Sequence, residues 1–280
     1  MRTVKELMEK YGLHFQKKYG QNFLVNSALP GKIADESGIT ASSGVIEIGP
    51  GIGTLTRELC KRAGKVVCFE IDKDLSPVLE ETLSDFDNVK VIFEDVMKAD
   101  LKEIIETEFE NRELSVCANL PYYITTPILM MLLESGIKFK SLTFMVQKEV
   151  ADRLCSTNDY GDYGAVTVAV NYYGKIKKLF NVSSGSFMPP PKVDSAVIKI
   201  ELFDENPYDV KDEKLLFKLI RGAFEMRRKT LVNALRDKAG ITKDELAKII
   251  SELFGDANIR GEKLSVGNFV DLCNKIYEHN

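Results

Sequence analysis

The sequence predicts an α/β protein built on a mostly parallel, doubly wound sheet, followed by a small all-α domain at the C-terminal side. Three observations lead there. From residue 45 to residue 146, short apolar runs alternate with stretches of helical period, and such alternation calls for right-handed crossovers between parallel strands. The segment Val45 to Thr54, read as V-I-E-I-G-P-G-I-G-T, places Gly49, Gly51 and Gly53 in a strand-to-helix turn, where missing side chains let a ligand approach the backbone. Beyond a polar, proline-containing stretch from Asp204 to Val210 the pattern is purely helical, which sets a domain boundary there.

Taken in order, residues 1 to 24 begin with a short amphipathic stretch and end in K-K-Y-G-Q-N-F-L at Lys17 to Leu24. The lysines suggest an arm that faces RNA. Asn22 and Leu24 suit either a lid over the ligand or a cap for the following helix, expected from about Ser27 to Ser37; the spacing leaves both open. Gly38 and Ser42-Ser43-Gly44 loop into the central strand. Further strands are expected near Lys65 to Phe69, Val89 to Phe93, Leu114 to Cys117 and Ser141 to Val146. Helices lie between them at about Leu75 to Leu83, Leu101 to Phe109 and Pro127 to Leu133, where Pro77 and Pro127 suit first helical turns. Tyr160 to Gly164 reads as a flexible loop before a helix from Ala165 to Tyr173. Two last strands, about Lys175 to Val182 and Ser195 to Phe203, flank Phe187-Met-Pro-Pro-Pro-Lys-Val-Asp194, whose prolines enforce an extended segment. Helices follow near Asp212 to Phe224, Thr230 to Lys238, Thr242 to Phe254 and Ser265 to Tyr277, the third opened by the capping box Thr242-x-x-Glu245. The expected domains are therefore 1–203, with 1–24 as arm or lid, and 211–280.

Composition narrows the function classes. With 280 residues, 44% apolar and 29% charged, the chain is of ordinary globular type. Its longest uncharged apolar run, around Ile124 to Leu133, is broken by Pro127 and falls short of the ~20 residues of a bilayer span; no membrane segment or signal peptide is expected. Cys60, Cys68, Cys117, Cys155 and Cys273 are odd in number and widely spaced, which fits neither a disulfide framework nor a zinc site and suggests free thiols in the reducing cytoplasm. With His14 and His279 as the only histidines, histidine catalysis and metal binding are disfavoured.

The net charge of -4 hides a segregation: residues 66 to 113 hold fifteen acids and five bases, residues 211 to 240 nine bases and four acids. The basic run, with Arg221, Arg227, Arg228, Lys229 and Arg236, fits a solvated helix face or a phosphate-contacting surface. It coincides with the change of fold pattern, which makes it a candidate RNA-binding surface.

The glycine turn does not meet the dinucleotide fingerprint, because Thr54 stands where G-x-G-x-x-G requires its third glycine, and it lacks the P-loop lysine. E-x-G-x-G-x-G instead resembles motif I of class I methyltransferases, Rossmann-like domains whose ligand is S-adenosylmethionine. Ligands of such sheets bind beyond the carboxyl ends of the strands. Glu70, in C-F-E-I-D at the end of the second strand and about twenty residues past the turn, suits the hydroxyls of a ribose. Asp95, after the third strand, suits the exocyclic amine of an adenine; either acid also suits a helix cap. After the fourth strand comes Asn119-Leu120-Pro121-Tyr122. An adenine amino nitrogen is a poor nucleophile, and acceptors for its hydrogens favour the pyramidal form that attacks a methyl group. The Asn119 side-chain oxygen and the Leu120 carbonyl are the proposed acceptors, and Tyr122 offers a ring for the base. Phe187 suits either a second wall around a flipped base or a plug at the edge of the core.

Q-N-F-L at Gln21, E-I-G-P-G-I-G-T-L-T at Glu47, N-L-P-Y-Y-I-T-T-P at Asn119, F-M-P-P-P-K-V-D-S at Phe187, R-R-K-T-L-x-N-A-L at Arg227 and R-G-E-K-L-S at Arg260 resemble, in order, the ribosomal RNA adenine dimethyltransferase family, in its small-subunit branch. The resemblance implies dimethylation of N6 of two adjacent adenines in the 3'-terminal hairpin loop of 16S rRNA, late in assembly of the small ribosomal subunit; a monomer and no metal are expected. It also implies that Asn22, Leu24, Gly49, Gly51, Glu70, Asp95 and Asn119 line the S-adenosylmethionine site. One departure is Glu94-Asp95-Val96-Met97, where many relatives carry G-D-A-L; the acid is retained. Alternatives are the large-subunit, macrolide-resistance branch, an enzyme acting on glutamine of release factors, which shares N-x-P-Y, and an RNA-binding assembly factor with secondary catalysis.

Overall fold

The computed structural model describes residues 2–16, 19–157 and 163–279. Lys17 and Lys18, and residues Tyr160 to Asp162 of the expected loop, lie outside the described residues. Helix α1 (Val4–Lys10), strand β1 (Phe23–Leu24) and helix α2 (Ala28–Ser37) precede the central strand β2 (Ser43–Ile48). The chain then alternates through α3 (Thr54–Cys60), β3 (Lys65–Phe69), α4 (Ser76–Leu83), β4 (Val89–Ile92), α5 (Leu101–Glu108), β5 (Glu113–Asn119), α6 (Thr125–Glu134) and β6 (Phe139–Gln147). Next come α7 (Lys148–Leu154), which no sequence pattern marked, α8 (Ala165–Tyr173), β7 (Gly174–Val182), β8 (Phe187–Met188) and β9 (Ser195–Leu202). Helices α9 (Glu213–Glu225), α10 (Leu231–Leu235), α11 (Lys243–Phe254) and α12 (Val266–His279) follow.

The main sheet has seven strands among the described residues, in the order β4-β3-β2-β5-β6-β9-β7. Pairings from β4 through β6 are parallel, and β9 joins β6 antiparallel, with Ser141 opposite Glu201 and Gln147 opposite Ser195. The fold is thus α/β with a mixed, mostly parallel sheet. Every residue of β2 is buried, as expected of a strand covered on both faces.

The chain divides into two compact units, Met1–Ala151 with Lys177–Leu202, and Asp152–Ile176 with Phe203–Asn280. The polar stretch after residue 203 follows one crossing between them; the crossings at 151/152 and 176/177 carry no compositional mark. In the first unit, one core joins Val45, Val66, Cys117, Met145 and Val197 of the sheet to Ile33 of α2 and to Leu55 and Leu59 of α3. A second cluster packs Val4, Leu7 and Met8 of α1 against Val78, Leu79 and Leu83 of α4, with Phe23 and Ile52. The Glu81 carboxylate anchors the same N-terminal segment, accepting from Lys10 Nζ at 2.7 Å and Tyr11 Oη at 2.6 Å and pairing with Arg2.

The sequence pattern did not anticipate the antiparallel ribbon of β1 and β8. Phe23 stands opposite Met188 and Leu24 opposite Phe187. Directly opposed residues share a face. Leu24 and Phe187 accordingly enter the first core, while Phe23 and Met188 pack with the α1–α4 cluster.

The second unit buries one face of α9 through Leu216, Phe217, Leu219, Ile220 and Ala223, together with Leu231 and Leu235 of α10 and Phe269, Leu272 and Ile276 of α12. Within it, the Tyr172 ring of α8 meets Phe217 edge-on with centroids 5.4 Å apart. At the start of α11, the Glu245 N–H donates to Thr242 Oγ1 at 3.3 Å and the Thr242 N–H to the Glu245 carboxylate at 2.9 Å, the reciprocal bonds of a capping box. Thr242→Ala should lower the stability of the helical unit by about 1 kcal/mol, read from urea unfolding.

Candidate active site

After β2 the chain moves outward to β3 and β4; after β5 it moves the other way, to β6. A crevice opens at the carboxyl ends of such a pair. Here it receives the glycine turn from β2, Glu70 from β3, Glu94 and Asp95 from β4, and Asn119 to Tyr123 from β5, with residues Tyr19 to Leu24 as a further wall. The cleft, open at its mouth, encloses about 1020 Å³ when the solvent space of that mouth is included. Asn22, Leu24, Gly49, Gly51, Glu70, Asp95, Asn119, Leu120 and Tyr122 all line it.

Gly49 has φ +73°, and a β-carbon there would meet nothing within 4 Å, so its backbone lies bare to the cleft. Gly51, at φ +59°, is needed for another reason: a β-carbon would stand 2.8 Å from Cε1 of Phe23. The turn and the N-terminal wall pack face to face only because that atom is missing. Glu70 is buried, and its carboxylate accepts the N–H groups of Gly51 at 3.2 Å and Asp72 at 2.8 Å. Burial raises the Glu70 carboxyl above its ordinary value, opposed by these two bonds. Asp72 in turn accepts Gln21 Nε2 at 2.6 Å, while Gln21 Oε1 accepts the Gln16 N–H at 2.8 Å. The wall is thereby tied to the loop that carries Glu70.

Asn119 Nδ2 donates to the Asn22 carbonyl at 3.3 Å. A carbonyl accepts only, which fixes the orientation of the amide and leaves Asn119 Oδ1 an acceptor with no donor among the described residues. Asn22 Nδ2 bonds the Gly20 carbonyl at 3.0 Å, so the Asn22 side chain shapes the wall rather than capping α2. The Tyr122 hydroxyl lies 2.6 Å from Ser195 Oγ, which pins its ring, and burial raises its hydroxyl above the ordinary value. Asp95 Oδ1 accepts the Met97 N–H at 3.0 Å, so it caps its own turn, and the residue also lines the cleft.

Phe187 is 3% exposed and packs in the core with Leu24 and Val197. The register of the β1–β8 ribbon sets it opposite Leu24, which itself lines the cleft. Arg221 lies on α9 and Arg227, Arg228 and Lys229 in the turn before α10; all four are exposed in the helical unit, with Arg227 Nη2 donating to the Tyr163 carbonyl at 3.0 Å.

Some lining residues escaped the sequence reading. Ile71 and Val96 directly follow Glu70 and Asp95 and give the cleft apolar surface, a repeated acid-then-apolar signal at two strand ends. Glu47, in the middle of an apolar strand, is 1% exposed at the cleft floor, with Cys68 Sγ donating to it at 3.5 Å. Burial, assisted by the Glu70 charge, pushes its carboxyl up to about 7. Among the described residues no group of three or more His, Cys, Asp or Glu could hold a metal ion, and no helix is long and apolar enough to cross a membrane.

Comparisons with known proteins show the family and the fold. The family model described as ribosomal RNA adenine dimethylase matches residues 12–278. Proteins named ribosomal RNA small subunit methyltransferase A are similar along nearly the whole chain: that of Lachnoclostridium phytofermentans is 47% identical over 276 residues, covering 98% of this chain and 95% of its own. That of Macrococcus caseolyticus is 46% identical over 280 residues, covering 99% and 95%. Among solved structures, a dimethyladenosine transferase from Plasmodium falciparum superposes with a TM-score of 0.78 at 25% identity, covering 91% of this chain and 98% of that one.

The raised Glu47 carboxyl has a consequence for stability. Between about pH 4.5 and 7 the native state holds a proton on Glu47 that the unfolded chain has released, so this group's stabilising contribution is full below that window and fades as pH rises through it. Glu47→Gln should remove that fall, leaving the variant more stable than the wild type at pH 8 by on the order of 3 kcal/mol, as measured by urea unfolding across the pH range.

Proposed function

Since the chain belongs to the ribosomal RNA adenine dimethylase family, we propose that it transfers methyl groups from S-adenosylmethionine to N6 of two adjacent adenines in the 3'-terminal hairpin loop of 16S rRNA, in the cytoplasm, late in small-subunit assembly. The small-subunit assignment rests on the shared name of its relatives. The observation that carries the reading is the meeting of bare Gly49 backbone, the Glu70 carboxylate and the Asn119 carboxamide in one cleft.

When bound, S-adenosylmethionine supplies an electrophilic methyl group on a sulfonium sulfur. The residues present suit it. Two N–H bonds leave Glu70 with acceptor capacity for ribose hydroxyls. Asp95 retains a carboxylate oxygen for an exocyclic amine, and Ile71 and Val96 offer apolar surface to a purine. Gly49 keeps side-chain bulk away, and Asn22 and Leu24 belong to the segment that walls the ligand in.

For the target base, Asn119 Oδ1 and the Leu120 carbonyl accept the hydrogens of the adenine amine. This draws the nitrogen toward a pyramidal geometry and stabilises the positive charge that grows as the bond to carbon forms. Tyr122, held by Ser195, gives the base a fixed aromatic face. Transfer is direct, in one displacement, with no covalent enzyme intermediate and no metal; positioning of the amine supplies much of the acceleration. Arg221, Arg227, Arg228 and Lys229 contact RNA phosphates from the helical unit.

The decisive experiment incubates the protein with labelled S-adenosylmethionine and unmethylated small subunits, then digests the RNA for mass spectrometry. Dimethyladenosine in the terminal hairpin is expected; label elsewhere, or none, refutes the proposal. Asn119→Ala should lower kcat about 100- to 1000-fold, a larger loss than any in cofactor Kd by calorimetry. Arg228→Ala should weaken RNA binding and reduce the slope of log affinity against log salt by about 0.7 to 0.9, read from filter binding at several salt concentrations.

A further inference from the structure

Tyr123 has no part in the mechanism above. It follows Tyr122 on a single 3-10 turn, Tyr122–Ile124, and lines the same cleft. Tyr123 is 62% exposed, more than any other exposed large hydrophobic residue among the described residues. The two adjacent tyrosines are held differently. The Tyr122 hydroxyl is fixed at 2.6 Å from Ser195, whereas the Tyr123 hydroxyl bonds none of the described residues. One edge of the Tyr123 ring is nonetheless seated. Gly20 sits against it at φ +61°, and a β-carbon on Gly20 would stand 3.3 Å from Cε1 and 3.4 Å from Cδ1 of the ring, with Pro121 Cβ at 3.6 Å. The cleft wall thus supports the ring from one side and leaves most of it to solvent at the mouth.

Exposure of so large an aromatic surface is unfavourable in water unless a partner covers it. An RNA substrate brings such a partner by necessity. Drawing one adenine into a pocket breaks its stacking on both neighbours, and the neighbour left at the mouth presents an uncovered aromatic face. Aromatic side chains take up such faces whatever the base.

We propose that Tyr123 is the stacking platform for the nucleotide next to the adenine being methylated, holding the strand in place while its neighbour is in the cleft. This rests on the RNA-methylating function proposed above. The interaction is made equally before and during the chemical step, so it acts on substrate binding rather than on turnover.

The test compares Tyr123→Ala and Tyr123→Phe with the wild type on unmethylated small subunits. Tyr123→Ala should raise the KM for subunits about tenfold with kcat and the Kd for S-adenosylmethionine unchanged, and Tyr123→Phe, which keeps the ring, should restore the wild-type KM. The chain contains no tryptophan, so Tyr123→Trp places a lone fluorophore at the mouth. Its emission should fall when unmethylated small-subunit rRNA is added. An unchanged KM in Tyr123→Ala, an equal loss of cofactor affinity (the mark of a ring that merely braces Gly20), or emission indifferent to RNA overturns the inference while the proposed function stands. A wild type that leaves small-subunit RNA unmethylated overturns both.

Discussion

Two neighbouring parallel strands whose connections leave in opposite directions leave an open crevice at their carboxyl ends, and β2 and β5 are such a pair. Registration does the rest. The Gly49 N–H bonds the Phe69 carbonyl at 2.9 Å, which brings the end of β3 beside the glycine turn, and the Glu70 N–H bonds the Ile92 carbonyl at 3.0 Å, which brings up the end of β4. Each strand delivers its first residues beyond the ladder to the same side. A slip of one residue in any of these pairings would reverse the faces of the whole strand, so the buried core that fixes register also fixes which groups meet in the cleft.

That arrangement carries an electrostatic burden. Glu47 and Glu70 are both buried, and burial is the main reason each carboxyl is raised; the charge of Glu70 adds to the rise at Glu47, and that of Asp72 to the rise at Glu70. Glu70 meets the cost with backbone N–H donors from the glycine turn and the loop before α4, whereas Glu47 has the weaker thiol of Cys68. The contrast between two residues of one type follows from their places, Glu47 in a strand interior and Glu70 at a strand end within reach of backbone donors.

Much of this is legible in the sequence for a local reason. The alternation of strand and helix is written in short-range periodicity, and in a parallel sheet the ligand groups must follow strand ends, so Glu70, Asp95 and Asn119 stand where a reader of strand ends looks for them. What stays hidden depends on distant partners. The β1–β8 ribbon is two residues on each side, too short for any period, and it is this pairing that sets Phe187 beside Leu24. The grouping of residues 152–176 with the helical unit likewise has no local mark, and the bond between Gln21 and Asp72 joins segments unrelated in sequence. Glu47 is visible as a break in an apolar run, but only the covering of β2 on both faces reveals how little water reaches it.

The same ribbon imposes an order on biosynthesis. Phe23 and Leu24 leave the ribosome early, yet the strand they pair with, Phe187–Met188, is translated only after the sheet's parallel strands have all been made. A nascent chain can assemble β2 through β6 while one wall of its cleft still lacks its backbone partner, so the site is finished by a late-arriving segment rather than by the strands that define it.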